Sequence, residues 1–341
     1  KDFLEQHAYD FIHTDNPKEL FNMKFDVIIG NPPYQLDDGG FGKSAKPLYN
    51  IFIENAIKLD PKFLSMIVPS RWFAGGKGLN DFRERMLNDR RIKTLVDFTD
   101  SRDCFPSVDI AGGVNYFLWD RNYDGRCKVI TNHKKKIYEG DRYLNEFSTL
   151  IRFSMAVDIL RKVKIKEEQT YDNFVSATNP FGLKTNDLFQ KDGDFDYLTS
   201  KGLGKISKNR VLRNNDIINS WKLITSKASH DHAGQPDKKG MRRVLSKLEI
   251  LEPNKICSGS YIVVNSFSSK DQALNCKAYM KSKFARFLIS LRSFSQDITK
   301  DRFSFVPLQN YEKIVDDNYL NRKYNLNSDE INFINNTISE M

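Results

Sequence analysis

The sequence predicts an α/β protein, with a doubly wound sheet in its first part and an α+β domain after it. Short apolar runs of strand-like composition alternate with amphipathic, helix-like segments over residues 25–119, which is the pattern of strands joined by crossover helices. The first run, residues 25–29, stops abruptly at Gly30 and a pair of prolines. The 341 residues, 40% of them apolar, suffice for a sizeable core and for two domains.

Four runs have the pattern of buried strands, and three segments have the periodicity of helices. The predicted strands are 25–29, 63–68, 92–98 and 114–119. The predicted helices are 48–59, 79–88 and 144–164. We expect the first strand to be a fully buried central strand. Polar and basic residues between 122 and 136 interrupt the pattern.

The residues that follow the first strand are Asn31, Pro32, Pro33 and Tyr34. Proline has no N–H to donate and restricts the residue before it to extended conformations, so this loop is predicted to be stiff, with unpaired carbonyl groups. In open α/β sheets, ligands bind outside the carboxyl ends of the strands. The loop is therefore expected to present the amide of Asn31 and the ring of Tyr34 at a binding edge.

Asn-Pro-Pro-Tyr after an apolar strand resembles the catalytic motif of gamma-class DNA adenine-N6 methyltransferases of restriction-modification systems, such as the Eco57I and TaqI types. The tetrapeptide alone also occurs in methyltransferases that modify RNA bases or the glutamine of release factors. Further segments resemble the later motifs of the DNA family in their expected order. These segments are 47–59, 63–72, 82–87, 104–106 and 113–119. The resemblance implies a Rossmann-like methyltransferase sheet followed by a target-recognition domain.

The resemblance also implies the substrate and the cofactor: a flipped-out adenine in a specific duplex DNA sequence, and S-adenosylmethionine. The side-chain oxygen of Asn31 and the carbonyl of Pro32 would accept hydrogen bonds from the adenine amine. Tyr34 would stack on one face of the extruded base and Phe105 on the other, unless Phe105 only packs in the core. The implied catalytic residues are Asn31, Pro32, Pro33, Tyr34 and Phe105. The implied cofactor-binding residues are Asp15, Gly30 and Asn31.

Asp15 follows a short apolar segment, residues 9–13, and an aspartate there could equally cap a helix or a turn. The family's glycine-rich cofactor loop should come earlier, within strand-helix units of roughly 30 residues each, yet only 24 residues precede residue 25. The glycines at 75–78 and at 112–113 lack the position and spacing of such a loop. We therefore expect a fragment, inactive alone, whose cofactor site is completed by an upstream segment or a second chain.

The net charge of +9 is unevenly distributed along the chain. Residues 171–310 contain 23 Lys and Arg against 13 Asp and Glu, a net charge of +10, so the rest of the chain sums to −1. A local excess of this kind is typical of a surface that meets the phosphates of DNA, although solvated lysines alone would also produce it. The predicted DNA-binding residues are Arg71, Trp72, Lys184, Thr185, Lys205, Lys208, Lys227, Arg242 and Arg243.

Several classes of site are not indicated. The four cysteines are scattered and have no metal-ligand spacing, which favours a reducing cytoplasm. His230 and His232 flank an aspartate but lack further ligands nearby, so we expect no metal. No apolar run reaches the roughly 18 residues of a membrane span. The expected location is the bacterial cytoplasm.

The predicted domains are the carboxyl part of the catalytic domain at 1–140, a helical linker at 141–170, a DNA target-recognition domain at 171–311 and a terminal helix at 312–341. Three alternatives stay open. The chain could be the modification half of a bifunctional restriction-modification enzyme. It could be a protein-glutamine or RNA methyltransferase, although these need no long basic domain after the motif. It could be a DNA-binding module without activity, which would leave residues 31–34 unexplained.

Overall fold

The computed structural model describes residues 3–21, 23–35, 46–76, 78–231, 236–293 and 296–341. The chain folds into two compact units, Lys1–Ser154 and Met155–Met341. Within the described ranges, no helix is long and apolar enough to cross a membrane.

The first unit contains a six-stranded mixed sheet. Its strands are β1 (Val27–Gly30), β2 (Phe63–Pro69), β3 (Ile92–Phe98), β4 (Val114–Asp120), β5 (Cys127–His133) and β6 (Lys136–Arg142). Their spatial order is β1-β2-β4-β3-β5-β6. The pairs β1/β2 and β3/β5 are parallel, and the other pairs are antiparallel. The carboxyl ends of β1, β2, β3 and β5 therefore lie at one edge of the sheet, together with the start of β4; we call this the carboxyl edge.

Among the described residues, three α-helices belong to the first unit: α1 (Phe3–His13), α2 (Tyr49–Lys58) and α3 (Asn80–Asn88). The core contains Ile53 from α2 and Phe82 from α3, packed with Leu64, Trp72 and Trp119. Both tryptophans are fully buried. Burying a side chain of this size stabilises the fold by about 1.5 to 3 kcal/mol, so these two helices are held by the face that the sequence periodicity marks as apolar. The predicted helices 48–59 and 79–88 are confirmed.

Strand β1 differs from its prediction. It pairs with β2 alone, and Val27 and Ile29 are 53% and 78% exposed, while Ile28 packs against the core. The prediction of a fully buried central strand is therefore wrong for the described chain. An apolar run is expected to be covered on both faces. In β1, the face that carries Val27 and Ile29 is exposed, and the outer edge of the strand is unpaired among the described residues.

Two further segments differ from the sequence pattern. The polar stretch after residue 122 forms the hairpin β5–β6, whose turn places Lys134 and Lys135 at positive φ. The predicted helix 144–164 begins only at Ser154, as α4 (Ser154–Lys164). Before it, Leu144–Glu146 forms a short 3-10 helix, and the following residues are held by the main-chain N–H of Leu150 and the hydroxyl of Thr149, which both donate to the carbonyl of Phe73.

The second unit has an α+β composition. Its strands are β7 (Phe195–Thr199), β8 (Gly202–Ile206), β9 (Trp221–Ser226), β10 (Leu248–Leu251), β11 (Lys255–Cys257) and β12 (Tyr261–Phe267). They form two three-stranded sheets, β10-β9-β12 and β11-β7-β8. After α4 come the helices α5 (Lys270–Lys281), α6 (Lys283–Ser290), α7 (Asp317–Lys323) and α8 (Ser328–Thr337).

Lys222 of β9 is a buried cation inside the second unit. Its side chain is fully buried, and its ammonium donates to the carbonyls of Ile218 at 2.7 Å and Ser220 at 2.6 Å. Burial lowers the pKa of Lys222 to about 8. Burial also raises the pKa of the neighbouring Cys257 thiol, which therefore stays neutral around that pH.

This lowered pKa makes stability depend on pH. Between about pH 8 and 10.5 the unfolded chain holds a proton on Lys222 that the folded chain has released, so folding becomes more favourable as the pH rises. We expect the unfolding free energy of the wild type, relative to Lys222→Met, to increase by up to about 1.4 kcal/mol per pH unit in that window. Urea titrations of both proteins at several pH values measure this difference. A difference in unfolding free energy that does not change with pH would contradict the prediction.

Candidate active site

The Asn-Pro-Pro-Tyr loop lies at the carboxyl edge, directly after β1. Gly30 is paired in register with Met66 of β2, and Asn31 follows it as an exposed residue. Pro32 is buried and Tyr34 is half-buried. The carbonyl of Tyr34 accepts a hydrogen bond from the N–H of Leu48, 3.2 Å away, just before α2. The loop is therefore tied at both ends, and its asparagine faces solvent.

The segment between β3 and β4, residues 99–113, lies at the same edge and carries Phe105, which is half-buried. We call it the Phe105 loop. Partial burial raises the pKa of the Tyr34 hydroxyl, and the thiol of Cys104 is close enough to raise it further. The residue beside Phe105 is thus a neighbour of Tyr34. Tyr34 and Phe105, which the resemblance assigns to the two faces of one base, therefore lie on two loops at the same edge of the sheet.

The Phe105 loop is folded back on its first residues. Ser101 is buried; its hydroxyl donates to the carbonyl of Val108 and accepts from the N–H of Ile110, both at 2.8 Å. The carbonyl of Ser101 accepts from the N–H groups of Cys104 and Phe105 at 3.0 and 2.7 Å. The position of Phe105 is therefore fixed by the backbone around it.

Residues after β2 are divided between solvent and core. Arg71 is exposed, as a DNA contact requires. Trp72 is fully buried and packs edge-on against Phe73 and Phe82, with ring centroids 4.7 and 5.8 Å apart. The structure does not place Trp72 where it could touch DNA, because its ring is part of the core of the first unit.

Asp15 is exposed and follows α1, so the apolar segment before it is helical. Asn55 of α2 fixes this segment by donating to the carbonyls of Phe11 at 2.6 Å and Thr14 at 3.5 Å. Asp15 and Asn31 are both accessible to a ligand. Over the described part of the chain, no three His, Cys, Asp or Glu residues are arranged to hold a metal ion, and His232 lies outside that part.

Apart from Arg242, the predicted DNA-binding residues of the second unit fall into three groups. Lys184, Thr185 and Lys208 are exposed. Lys205 and Lys227 are partly exposed and form ion pairs with Asp196 at 2.7 Å and Asp297 at 3.3 Å. Arg243 is half-buried. The first group is the one that the structure leaves open to phosphates.

Arg242 is a correction to the sequence analysis. Its guanidinium donates to Asp231 at 3.3 Å and to the carbonyls of Ser290 and Ser293 at 2.9 and 3.0 Å. Burial of the guanidinium lowers the pKa of Arg242. Arg242 therefore joins α6 to the segment around Asp231 inside the unit, and it is not presented to DNA.

Exposed apolar side chains accompany the exposed basic ones. Phe189 lies over Gly204 of β8, and Leu212 lies against Gly182. Leu188, Phe189, Leu203 and Leu212 are all exposed. Lys184 and Arg210 are connected to the same region through Asp187. We call this region the 182–212 surface; a mixed apolar and basic surface of this kind is what base and phosphate contacts need together.

The sequence analysis missed a polar cluster under the carboxyl edge. Asp97 of β3 and Asn115 of β4 are fully buried, and Arg152 donates to both carboxylate oxygens of Asp97 at 2.6 Å. The available signal was a charged residue inside an apolar strand run, Leu-Val-Asp-Phe at 95–98. Its partner is 55 residues away in sequence, so no local pattern connects the two.

Comparison with known proteins confirms the resemblance given by the motifs. Residues 1–105 match the family model of the Eco57I restriction-modification methylase. A relative from Mycoplasma pneumoniae (strain ATCC 29342 / M129 / Subtype 1), an uncharacterized adenine-specific methylase, is 42% identical over 142 residues. That match covers 39% of this chain and 34% of the relative, so the chain spans about a third of the relative's length.

Two solved structures resemble the fold more distantly. The type IIG restriction endonuclease BpuSI is 10% identical with a TM-score of 0.36, covering 91% of this chain and 49% of that chain. The type IIL restriction-modification enzyme MmeI, solved in complex with DNA, is 9% identical with a TM-score of 0.42, covering 82% and 45%.

Proposed function

We propose that this chain is the catalytic-motif and target-recognition part of an adenine-specific DNA methyltransferase of a restriction-modification system. The observation that carries the proposal is that two loops lie at the carboxyl edge of the same sheet. One presents Asn31 and Tyr34, and the other presents Phe105. Asn31, Tyr34 and Phe105 all lie within the residues that match the methylase family model.

The arrangement suits methyl transfer to the N6 amine of a flipped-out adenine. That amine is a weak nucleophile because its lone pair is delocalised into the ring. Hydrogen bonds from its two N–H groups to the side-chain oxygen of Asn31 and the carbonyl of Pro32 would localise the lone pair on nitrogen. Tyr34 and Phe105 would hold the ring between them, which offsets the lost stacking in the duplex.

S-adenosylmethionine, when bound, supplies a methyl group on a positively charged sulfur. Asn31 and Pro32 would hold the amine for transfer of that methyl group to nitrogen, with the neutral sulfur compound as the leaving group and the amine proton released to water. Asp15, Gly30 and Asn31 are the residues we assign to the cofactor. The open edge of β1 supports the further proposal that another segment or a second chain pairs there and completes the cofactor site, so that this chain alone is inactive.

The second unit is proposed to bind duplex DNA. Its basic excess and the 182–212 surface support this, with Lys184, Thr185 and Lys208 as the most accessible contacts. Lys205, Lys227 and Arg243, and Arg71 in the first unit, are further candidates for phosphates or guanine. A long basic unit is not needed by a methyltransferase of RNA or of protein glutamine, so it favours a DNA substrate. A nuclease fused in the same polypeptide is compatible with all of this.

Salt dependence tests the DNA proposal. Replacing Lys184 and Lys208 by Ala should weaken duplex binding and lower the slope of log K against log salt by about 2, since each phosphate contact releases about 0.9 counterion. The control variant replaces Lys62 and Lys93 by Ala. These two lysines lie at the end of the first sheet opposite the carboxyl edge. Fluorescence anisotropy over a salt series measures the slopes. Equal slopes in both double variants, or wild-type affinity that is independent of salt, would contradict DNA binding by this surface.

A further inference from the structure

The polar cluster under the carboxyl edge consists of Ser70, Asp97, Asn115 and Arg152, and we call it the Asp97 cluster. Asn115 and Asp97 are paired in register on neighbouring strands, and Asn115 is also paired with Val68 of β2. The cluster therefore lies across β3 and β4, beside the end of β2. Every member except Arg152 is less than 5% exposed.

The contacts within the cluster are short and directional. Asp97 accepts two hydrogen bonds from Arg152, Nε to Oδ2 and Nη2 to Oδ1, both at 2.6 Å. It also accepts one from the hydroxyl of Ser70 at 2.8 Å. Asn115 donates to the carbonyl of Val68 at 3.1 Å and to Ser70 Oγ at 3.3 Å. The carboxylate is thus held on both oxygens by a planar, bidentate partner.

Stability does not by itself explain such a cluster. Removing two charges from water costs several kcal/mol for each ion, and well-packed apolar residues of similar volume often stabilise a core as well as a buried ion pair does. The same sheet has a comparable pair at its opposite edge, where Arg91 binds Asp89 through two hydrogen bonds of 2.7 and 2.8 Å. Arg91, however, holds no loop of the site.

What the Asp97 cluster holds is the end of the Phe105 loop. Arg152 Nη1 donates to the carbonyl of Gly112 at 2.9 Å, and the N–H of Ser70 donates to the carbonyl of Gly113 at 3.0 Å. Arg152 also lies 3.4 Å from the carbonyl of Phe98, where the loop begins. One guanidinium therefore contacts both ends of the loop that carries Phe105.

We propose that Arg152 and Asp97 are positioning residues that fix the Phe105 loop at the carboxyl edge, where the Asn-Pro-Pro-Tyr loop also lies. Arg152 provides the contacts to the loop, and Asp97 orients the guanidinium. The contacts of the cluster do not depend on any assumed activity. The expected effect on turnover rests on the proposed methyl transfer.

The first test is structural and needs no activity. Hydrogen exchange is measured on the wild-type chain and on the Arg152→Lys variant. Lysine keeps the positive charge but cannot contact Asp97 and both loop ends at once. We expect the amides of residues 104–113 to exchange about tenfold faster or more in Arg152→Lys, with β3 and β4 unchanged. Arg91→Lys is the matched control and should leave the loop amides as in the wild type. Unchanged loop exchange in Arg152→Lys would overturn the proposal.

The second test is a double-mutant cycle in the full-length protein. Arg152→Lys should lower kcat for methyl transfer by about 10- to 100-fold, since a displacement of about 1 Å can cost this much, while KM for DNA changes little. In a Phe105→Ala background the same substitution should change kcat by less than about threefold, because the residue through which it acts is gone. Arg91→Lys should have the same small effect in both backgrounds.

The outcomes separate the two proposals. A full loss of kcat from Arg152→Lys in the Phe105→Ala background would overturn action through the loop. Should Arg152→Lys be too unstable to purify, Asp97→Asn is measured in its place, with the same expected exchange and kinetics. A wild-type protein without methyl transfer would refute the proposed function, and the exchange experiment would then still decide whether the cluster fixes the loop.

Discussion

Replacing Asn31 by Ala is expected to reduce methyl transfer by the full-length protein by about 100- to 1,000-fold, the range found when one hydrogen-bonding group that acts in a transition state is removed. Duplex affinity should stay within a few-fold of the wild type, because the lost hydrogen bonds matter chiefly as the amine begins to attack. Single-turnover transfer of a labelled methyl group, together with DNA binding by anisotropy, measures both quantities.

A matched control is Asn122→Ala, which removes an exposed asparagine after β4, at the opposite edge of the same sheet. It should leave turnover within about twofold, because surface substitutions away from a site usually change stability by less than about 0.5 kcal/mol. If Asn31→Ala kept turnover within tenfold of the wild type, the assignment of Asn31, and with it the methyltransferase proposal, would fail.

Gly113→Ala should strongly destabilise the first unit. Gly113 has a φ of +82°, and a Cβ there would lie 2.0 Å from the carbonyl oxygen of Phe98. The colliding atom belongs to the backbone of β3, so no side chain can rotate away, and the end of the Phe105 loop would have to move. We expect the unfolding free energy to fall by about 3 to 5 kcal/mol, at the high end of single substitutions.

The neighbouring glycine supplies the control. Gly112 has a φ of +89°, but a Cβ there would have nothing within 4 Å. Gly112→Ala therefore suffers only the backbone cost of a left-handed conformation, about 1 to 2 kcal/mol. Chemical denaturation of the two variants under identical conditions should show a difference of about 1 to 4 kcal/mol in unfolding free energy between them. Equal losses would mean that the close approach of Gly113 to Phe98 is not what constrains this loop.

Much of the first unit was predictable because its periodicity is strong. Strands β2, β3 and β4 and helices α2 and α3 follow the predicted boundaries within a few residues, since each buries one continuous apolar face. The hairpin β5–β6 was not predicted, because it is rich in polar and basic residues and its strands are held mainly by pairing with β3 and with each other. Tertiary pairing overrides weak local propensity in such segments.

The candidate site was predictable where a motif is local. Asn31 and Tyr34 follow one strand, and Phe105 lies on a second loop at the same edge of the sheet. The prediction that Arg242 contacts DNA was wrong. A basic residue can turn inward when carbonyls and a carboxylate accept hydrogen bonds from its N–H groups. The role of Arg152 was not predicted, because it depends on contacts to residues some 40 and 55 positions away in the sequence.

The complete burial of Trp72 and Trp119 makes the two units optically distinguishable. The chain has three tryptophans, and the third, Trp221, is only partly buried and belongs to the second unit. Indole emission from a dry interior lies at shorter wavelength than emission from a hydrated ring. Loss of the short-wavelength component on denaturation should therefore report the first unit, while the weaker change from Trp221 reports the second. A single emission spectrum of each variant then shows whether the unit that carries Asn31 is still folded.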